Sequence, residues 1–145
     1  VLGDGSEHNR LKEQICRKGV SSRISLPGRV GNIADWYARA DFFVMSSRFE
    51  GFPNVLVEAM AYGLPAVSFD CDTGPEDIIE NEKNGILVSF EDGTKGLSEA
   101  MAEMMRDEAK RNRMSKSSKM VRSKFSMKSV GSQWNQVLGL EGDLK

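Results

Sequence analysis

Two acids in the middle of the chain, Glu50 and Glu58, lie on either side of a short segment that contains Gly51 and Pro53, with seven residues between them. A carboxylate accepts hydrogen bonds from two neighbouring hydroxyls at once, so a pair of acids framing one site suits a polyol. Pro53 fits the first position of a helix, where its missing N–H would have had no partner. The peptide N–H groups of Asn54 and Val55 then stand free at the positive end of that helix, where an anion is stabilised. If the helix starts at Pro53, Glu58 lies about 7.5 Å along its axis, at a rise of roughly 1.5 Å per residue. A diphosphate seated at the helix start would leave a ribose diol within reach of Glu58, while Glu50, ahead of the turn, reaches toward the far side of the phosphates.

These groups need elements to hold them. The apolar run Phe42-Phe43-Val44-Met45 reads as a strand leading into the loop, and Gly63 suits the left-handed residue that closes the helix. Residues 65–69 form another strand-like run and lead into Asp70-Cys71-Asp72-Thr73-Gly74, with Pro75 at the first position of a second helix. A turn over 81–85 enters the strand-like run 86–88. Upstream, residues 1–3 read as the end of a strand, Ser6 as the cap of a helix running to Lys18 with Leu11 and Ile15 inward, and 23–30 as a strand followed by a loop. A short helix over 33–39 carries Trp36 and Tyr37 as packing residues. Downstream, Leu97, Met101, Met104 and Met105 recur at helical spacing as a core-facing stripe. Residues 110–128 carry basic residues and no acids, with Met114, Val121 and Phe125 on a shared face; a solvated face on a packed helix outweighs a membrane-surface helix. A final helix over 129–138 carries Trp134, and 141–145 form a tail. Strand and helix alternate with short connections, which predicts an α/β domain over 1–140: a Rossmann-like parallel sheet with helices on both faces and a ligand crevice beyond the strands' carboxyl ends. Glu50, the helix start at Asn54, and Thr73-Gly74 all fall at such ends.

The composition narrows the field. The 145 residues fit one domain, and a net charge of −1 gives no reason to expect nucleic acid. No apolar run approaches the roughly 20 residues that span a bilayer. Cys16 and Cys71 have neither metal-ligand nor redox spacing, and a reduced, cytoplasmic setting is expected. His8, the sole histidine, occupies the place of the third glycine in a dinucleotide fingerprint, so no nicotinamide or flavin cofactor is expected. It reads as an exposed first-turn residue rather than a base. Asp70-Cys71-Asp72 invites a divalent metal, yet no metal is expected. The chain starts within its first strand, which reads as a fragment.

The string Ser-Arg-Phe-Glu-Gly-Phe-Pro-Asn-Val-Leu-Val-Glu-Ala-Met-Ala-Tyr-Gly-Leu-Pro over 47–65 resembles the signature of the retaining nucleotide-sugar glycosyltransferases of family 4, built from two Rossmann-like domains with the donor in the C-terminal one. The likeness runs from Gly3 to about Trp134 and is most specific through Val88. It implies one half of a two-domain glycosyltransferase B fold, with Glu50 as the catalytic residue, bound to a hydroxyl of the transferred sugar. Gly51, Phe52, Pro53, Asn54 and Val55 would meet donor sugar and phosphate, and Glu58 the ribose. By match of Leu-Pro-Gly-Arg-Val, Arg29 and Val30 border the base, against a reading of Arg29 as a turn residue and Val30 as packing. Thr73 and Gly74 shape a cleft loop, in which the family uses no metal. The substrate implied is a nucleoside diphosphate sugar, with UDP favoured. The implied partners are an N-terminal acceptor domain of the same protein and a lipid-linked acceptor at the membrane surface, and the family adds an Arg and a Lys from an earlier strand-loop unit. Three rivals stay open. A glycoside hydrolase would use Glu50 and Glu58 as its carboxyl pair. A receiver-type switch would use Asp70 but lacks a Lys after Val88. A sugar-nucleotide epimerase shares the architecture without needing the paired acids.

Overall fold

The computed structural model describes residues 1–140. The chain divides into two compact units, Val1–Trp36 and Tyr37–Lys145. In the first, helix α1 (His8–Arg17) buries no residue completely. Leu11 and Ile15, expected inward, instead line an open apolar groove of about 270 Å³ with Val20, Ile24 and Leu26, Leu11 being exposed and Ile15 half-buried. The strands expected at 1–3 and 23–30 are reduced to one parallel bridge between Leu2 and Gly28, with the Gly3 N–H donating to the Gly28 carbonyl at 2.9 Å. With so few paired residues, neither segment makes a continuous ladder. Ser6 does not cap α1: Glu7 holds the cap position without a side-chain bond, and the helix begins after a turn in which His8 N–H meets the Gly5 carbonyl. His8 is half-buried rather than exposed.

The second unit is built on three parallel strands, β1 (Phe43–Met45), β2 (Ala66–Phe69) and β3 (Gly85–Val88), in that spatial order. Phe43 pairs with Ala66 and Ala66 with Gly85, so the strands run in step and end at one edge. Because side chains alternate along a strand, the sheet feeds two cores. Val67, Phe69, Ile86 and Val88 pack with Leu97, Ala100 and Met104 of α5 (Gly93–Arg106) and Met114 of α6 (Glu108–Ser118). Met45 and Ala66 on the other face pack with Leu56 and Met60 of α3 (Asn54–Ala61), Ile78 of α4 (Pro75–Ile78) and Val121 of α7 (Val121–Lys124). The sheet is therefore covered on both faces, as a parallel sheet requires.

Several local expectations shift. Met105, placed on the core stripe, is 61% exposed, since the stripe closes at Leu97, Ala100 and Met104. Trp36 is 43% exposed, whereas Tyr37 on helix α2 (Ile33–Arg39) is buried. The basic stretch forms two helices, α6 and α7, and Met114 and Val121 are buried as the shared face required. The last helix, α8 (Met127–Leu138), starts earlier than the spacing suggested because the Ser126 hydroxyl caps it through the Ser129 N–H, and Trp134 on it is exposed. No helix of the described residues is long and apolar enough to cross a membrane. Residues 141–145 lie outside the described residues.

Candidate active site

The loop after β1 turns sharply into α3. Pro53 is not the first helical residue: at φ −79° and ψ 84° it sits at the centre of an inverse γ-turn, and the Asn54 N–H donates to the Phe52 carbonyl at 3.0 Å. Asn54 is thereby removed from the free donors expected at this helix start. Leu56 N–H closes on the Pro53 carbonyl at 2.9 Å. Among the described residues no acceptor meets the Val55 N–H, so the polarised end of α3 is offered through that group. Asn54 and Val55 are both exposed. The Phe52 ring turns away onto Phe125, with centroids 5.4 Å apart, and leaves only its backbone at the turn. At the other end, Tyr62 caps the helix and Gly63, at φ 94°, ends it as its position demanded.

A second loop, the one between β2 and α4, closes on the first. The Thr73 hydroxyl donates to the backbone carbonyl of Glu50, tying the two loops across 23 positions of sequence. Gly74 has φ 95°, and a β-carbon there would stand 2.5 Å from Pro53 Cδ and 3.0 Å from the Gly51 carbonyl. Only glycine lets the loops approach this closely. Pro75 follows as the first residue of α4, as its type predicted. Cys71 is buried beside this junction, and its thiol is pushed up by burial, then by the charges of Glu50, Asp70 and Asp72. Among the described residues, no three of His, Cys, Asp and Glu gather where they could hold a metal ion.

Glu58 lies on the second turn of α3, exposed, with no cation paired to it among the described residues. Its partner is the phenol of Tyr37, which donates to Oε2 at 3.4 Å. The phenol is held above the ordinary tyrosine range by burial first, and then by the charge and hydrogen bond of Glu58. Sequence reasoning treated Tyr37 as packing alone; the signal available was its hydroxyl, which must find an acceptor when the ring is buried. Glu50 is half-buried. The structure thus brings Glu50, the Gly51–Pro53 turn, Val55, Thr73 and Gly74 to one edge of the sheet, with Glu58 a turn further along α3. Arg29, exposed, and Val30, half-buried, belong to the first unit, just after Gly28 in its φ 77° turn. A polar cavity of about 240 Å³ lies by the carboxyl end of α3, lined by Tyr37, Tyr62, Gly63, Arg111 and Ser115 among others.

Residues 1–107 match the family described as Glycosyl transferases group 1. The chain belongs to this family of glycosyltransferases. Over 138 residues this glycosyltransferase chain is 33% identical to an exopolysaccharide phosphotransferase of Streptomyces coelicolor, which covers 94% of the chain and 14% of that protein. The amylovoran biosynthesis glycosyltransferase AmsD of Erwinia amylovora is 36% identical over 91 residues, covering 63% of the chain and 25% of that enzyme. Among solved structures, HepE of Anabaena, crystallised in complex with UDP, superposes with a TM-score of 0.82 at 25% identity, over 95% of this chain and 39% of that one. The glycosyltransferase chain therefore spans 14% to 39% of the length of these relatives. Its fold is the expected one, a Rossmann-like half of the two-domain glycosyltransferase B architecture, and its reading as the C-terminal half fits.

Proposed function

We propose that this domain binds the donor of a retaining glycosyltransferase, which moves a hexose from a nucleoside diphosphate sugar, with UDP as the first choice of nucleotide, to an acceptor hydroxyl in polysaccharide, glycan or glycolipid synthesis. The observation that carries the reading is the α3 start: an unmet Val55 N–H at a helix N-terminus, with Glu50 before it and Glu58 one turn beyond, in a member of the glycosyltransferase family. Cleavage of the anomeric bond leaves positive charge on the sugar and adds negative charge to the diphosphate. The helix end and Val55 N–H stabilise that departing charge, the more so because they are fixed before the reaction. Glu58 takes the ribose hydroxyls. Glu50 takes a hydroxyl of the transferred sugar and need not be a nucleophile, since the acceptor enters on the face that the diphosphate leaves and gives its proton to the leaving phosphate. Gly51, Phe52 and Pro53 offer backbone to the sugar, Asn54 its side chain, and Arg29 and Val30 border the base. No metal is assigned a role.

The complete enzyme would add an acceptor-binding domain and an earlier strand-loop unit with an Arg and a Lys toward the diphosphate, and would work in the cytoplasm or at the inner membrane surface on a lipid-linked acceptor. UDP in the HepE complex supports the nucleotide class. The name of the Streptomyces relative supports a second transfer, in which a sugar phosphate rather than a sugar moves. The test uses the full-length protein, with calorimetry against nucleoside diphosphates and product analysis by mass. Glu58→Gln weakens nucleoside diphosphate binding about tenfold, the worth of one charge-assisted hydrogen bond of roughly 1.5 kcal/mol. Glu50→Gln leaves that binding within about twofold and slows transfer by about 10² or more, as loss of a group acting in the transition state does. A product retaining phosphate from the donor, or unchanged binding and rate in both variants, overturns the reading.

A further inference from the structure

We infer that Tyr37 is a positioning residue for donor recognition: its phenol anchors one carboxylate oxygen of Glu58, leaving the other aimed outward at a vicinal diol. The inference rests on the proposed role of Glu58.

Glu58 is exposed and sits on the outer surface of α3, where a glutamate ordinarily samples several rotamers. A carboxylate that must meet two adjacent hydroxyls gains from having that freedom removed beforehand. Tyr37 is placed to remove it. Its ring is 6% exposed, packs with Ala59 and Leu64, meets the edge of Phe43 at 6.4 Å between centroids, and lies against Tyr62 at 5.4 Å. The ring is therefore fixed by three elements, and its hydroxyl has Glu58 Oε2 as partner. At 3.4 Å the bond is long for O–H···O, as hydrogen bonds in ligand-free sites often are. Burial and the Glu58 charge both hold the phenol protonated, so the donor persists at neutral pH. Tyr62, its neighbour, is half exposed and stands one turn beyond Glu58 on the same helix. Packing alone would be served equally by phenylalanine at 37.

The distinction is measurable on the full-length enzyme. UDP, GDP and ADP are compared by thermal shift, and the nucleotide giving the largest shift is titrated calorimetrically, alongside its 2′,3′-dideoxy form, into wild type, Tyr37→Phe, Glu58→Gln, the double variant and Tyr62→Phe. Tyr37→Phe is expected to weaken the ribonucleotide about three- to fivefold, corresponding to a hydrogen bond of roughly 0.7 to 1 kcal/mol. It is expected to leave the dideoxy form unchanged, to add nothing in the Glu58→Gln background, and to raise KM for the donor with little change in kcat. Tyr62→Phe is expected to match wild type, and melting temperatures confirm that each variant folds. Equal weakening of both nucleotides by Tyr37→Phe assigns Tyr37 to packing and overturns the inference. So does wild-type affinity in Tyr37→Phe when Glu58→Gln is impaired. Wild-type affinity in Glu58→Gln instead overturns the underlying role of Glu58.

Discussion

Two groups of acids in the described domain sit in opposite environments. Around Lys110 on α6, Glu82 and Glu103 each stand 2.6 Å from the ammonium, whose side chain is only 10% exposed. Burial alone depresses this lysine, but the two carboxylates outweigh it and leave its pKa raised. At the α3 start, Glu50 and Glu58 have no cation beside them among the described residues, and what fixes them is neutral: the Thr73 hydroxyl on the Glu50 backbone and the Tyr37 phenol on the Glu58 carboxylate. A cation would satisfy these acids and close them to other partners; a neutral donor holds a carboxylate while leaving acceptor capacity unused. The first cluster ties α5 and α6 to the turn before β3. The second keeps its acceptors open toward solvent, which is the arrangement a hydroxyl-rich ligand needs.

The comparison breaks most sharply at Gly74. Alanine there meets both a positive φ and a β-carbon 2.5 Å from Pro53, so the two loops must part. Backbone strain and overpacking each cost roughly 1 to 3 kcal/mol. Gly74→Ala is therefore expected to lower stability by about 3 kcal/mol and to cost nucleotide binding, read by urea denaturation and calorimetry in the full-length protein. Next in size is Lys110→Met. It strands two acids, but both are about half exposed, with side chains 58% and 47% accessible, so water relieves most of the penalty. A loss of about 1 to 2 kcal/mol is expected, below the range for fully buried pairs. Nucleotide affinity in Lys110→Met is expected to equal that of wild type; a loss there would mean that the two clusters are coupled rather than separate.

How much of this was legible beforehand divides along the same line between local and distant causes. Gly63 and Pro75 were assigned from residue type, because a left-handed closing residue and a helix-starting proline are demands of the chain's own geometry. The two-faced sheet followed from apolar runs separated by helical segments. Pro53 was misplaced because proline sets φ and leaves ψ free; the ψ of 84° belongs to a turn packed under Gly74, twenty-one positions later in the chain. The partner of Glu58 was missed because Tyr37 reaches it across 21 positions, and that of Lys110 because Glu82 lies 28 away. Residues 1–3 and 23–30 carried strand composition but gain one bridge, since composition does not supply a neighbouring strand to pair with.

The smallest expected effect separates the two clusters by proton linkage. Lys110 and Tyr37 both have raised values in the folded domain. For each, the fold binds the proton more tightly than the unfolded chain does, so the stabilisation is complete below the unfolded value, about 10 for tyrosine and 10.4 for lysine, and is lost as pH climbs through the folded value. Neither group shifts stability between pH 6 and about 9. Above that, melting temperature in wild type is expected to fall, and to fall less steeply in Lys110→Met and in Tyr37→Phe, each of which removes one contribution. The losses are expected to add, because the two groups share no partner. Ribose discrimination, compared between the ribonucleotide and its dideoxy form, is expected to decline over the same alkaline range in wild type and to stay flat in Tyr37→Phe, since only the phenol that loses its proton faces Glu58. A parallel decline in both proteins would place the cause outside the Tyr37–Glu58 pair.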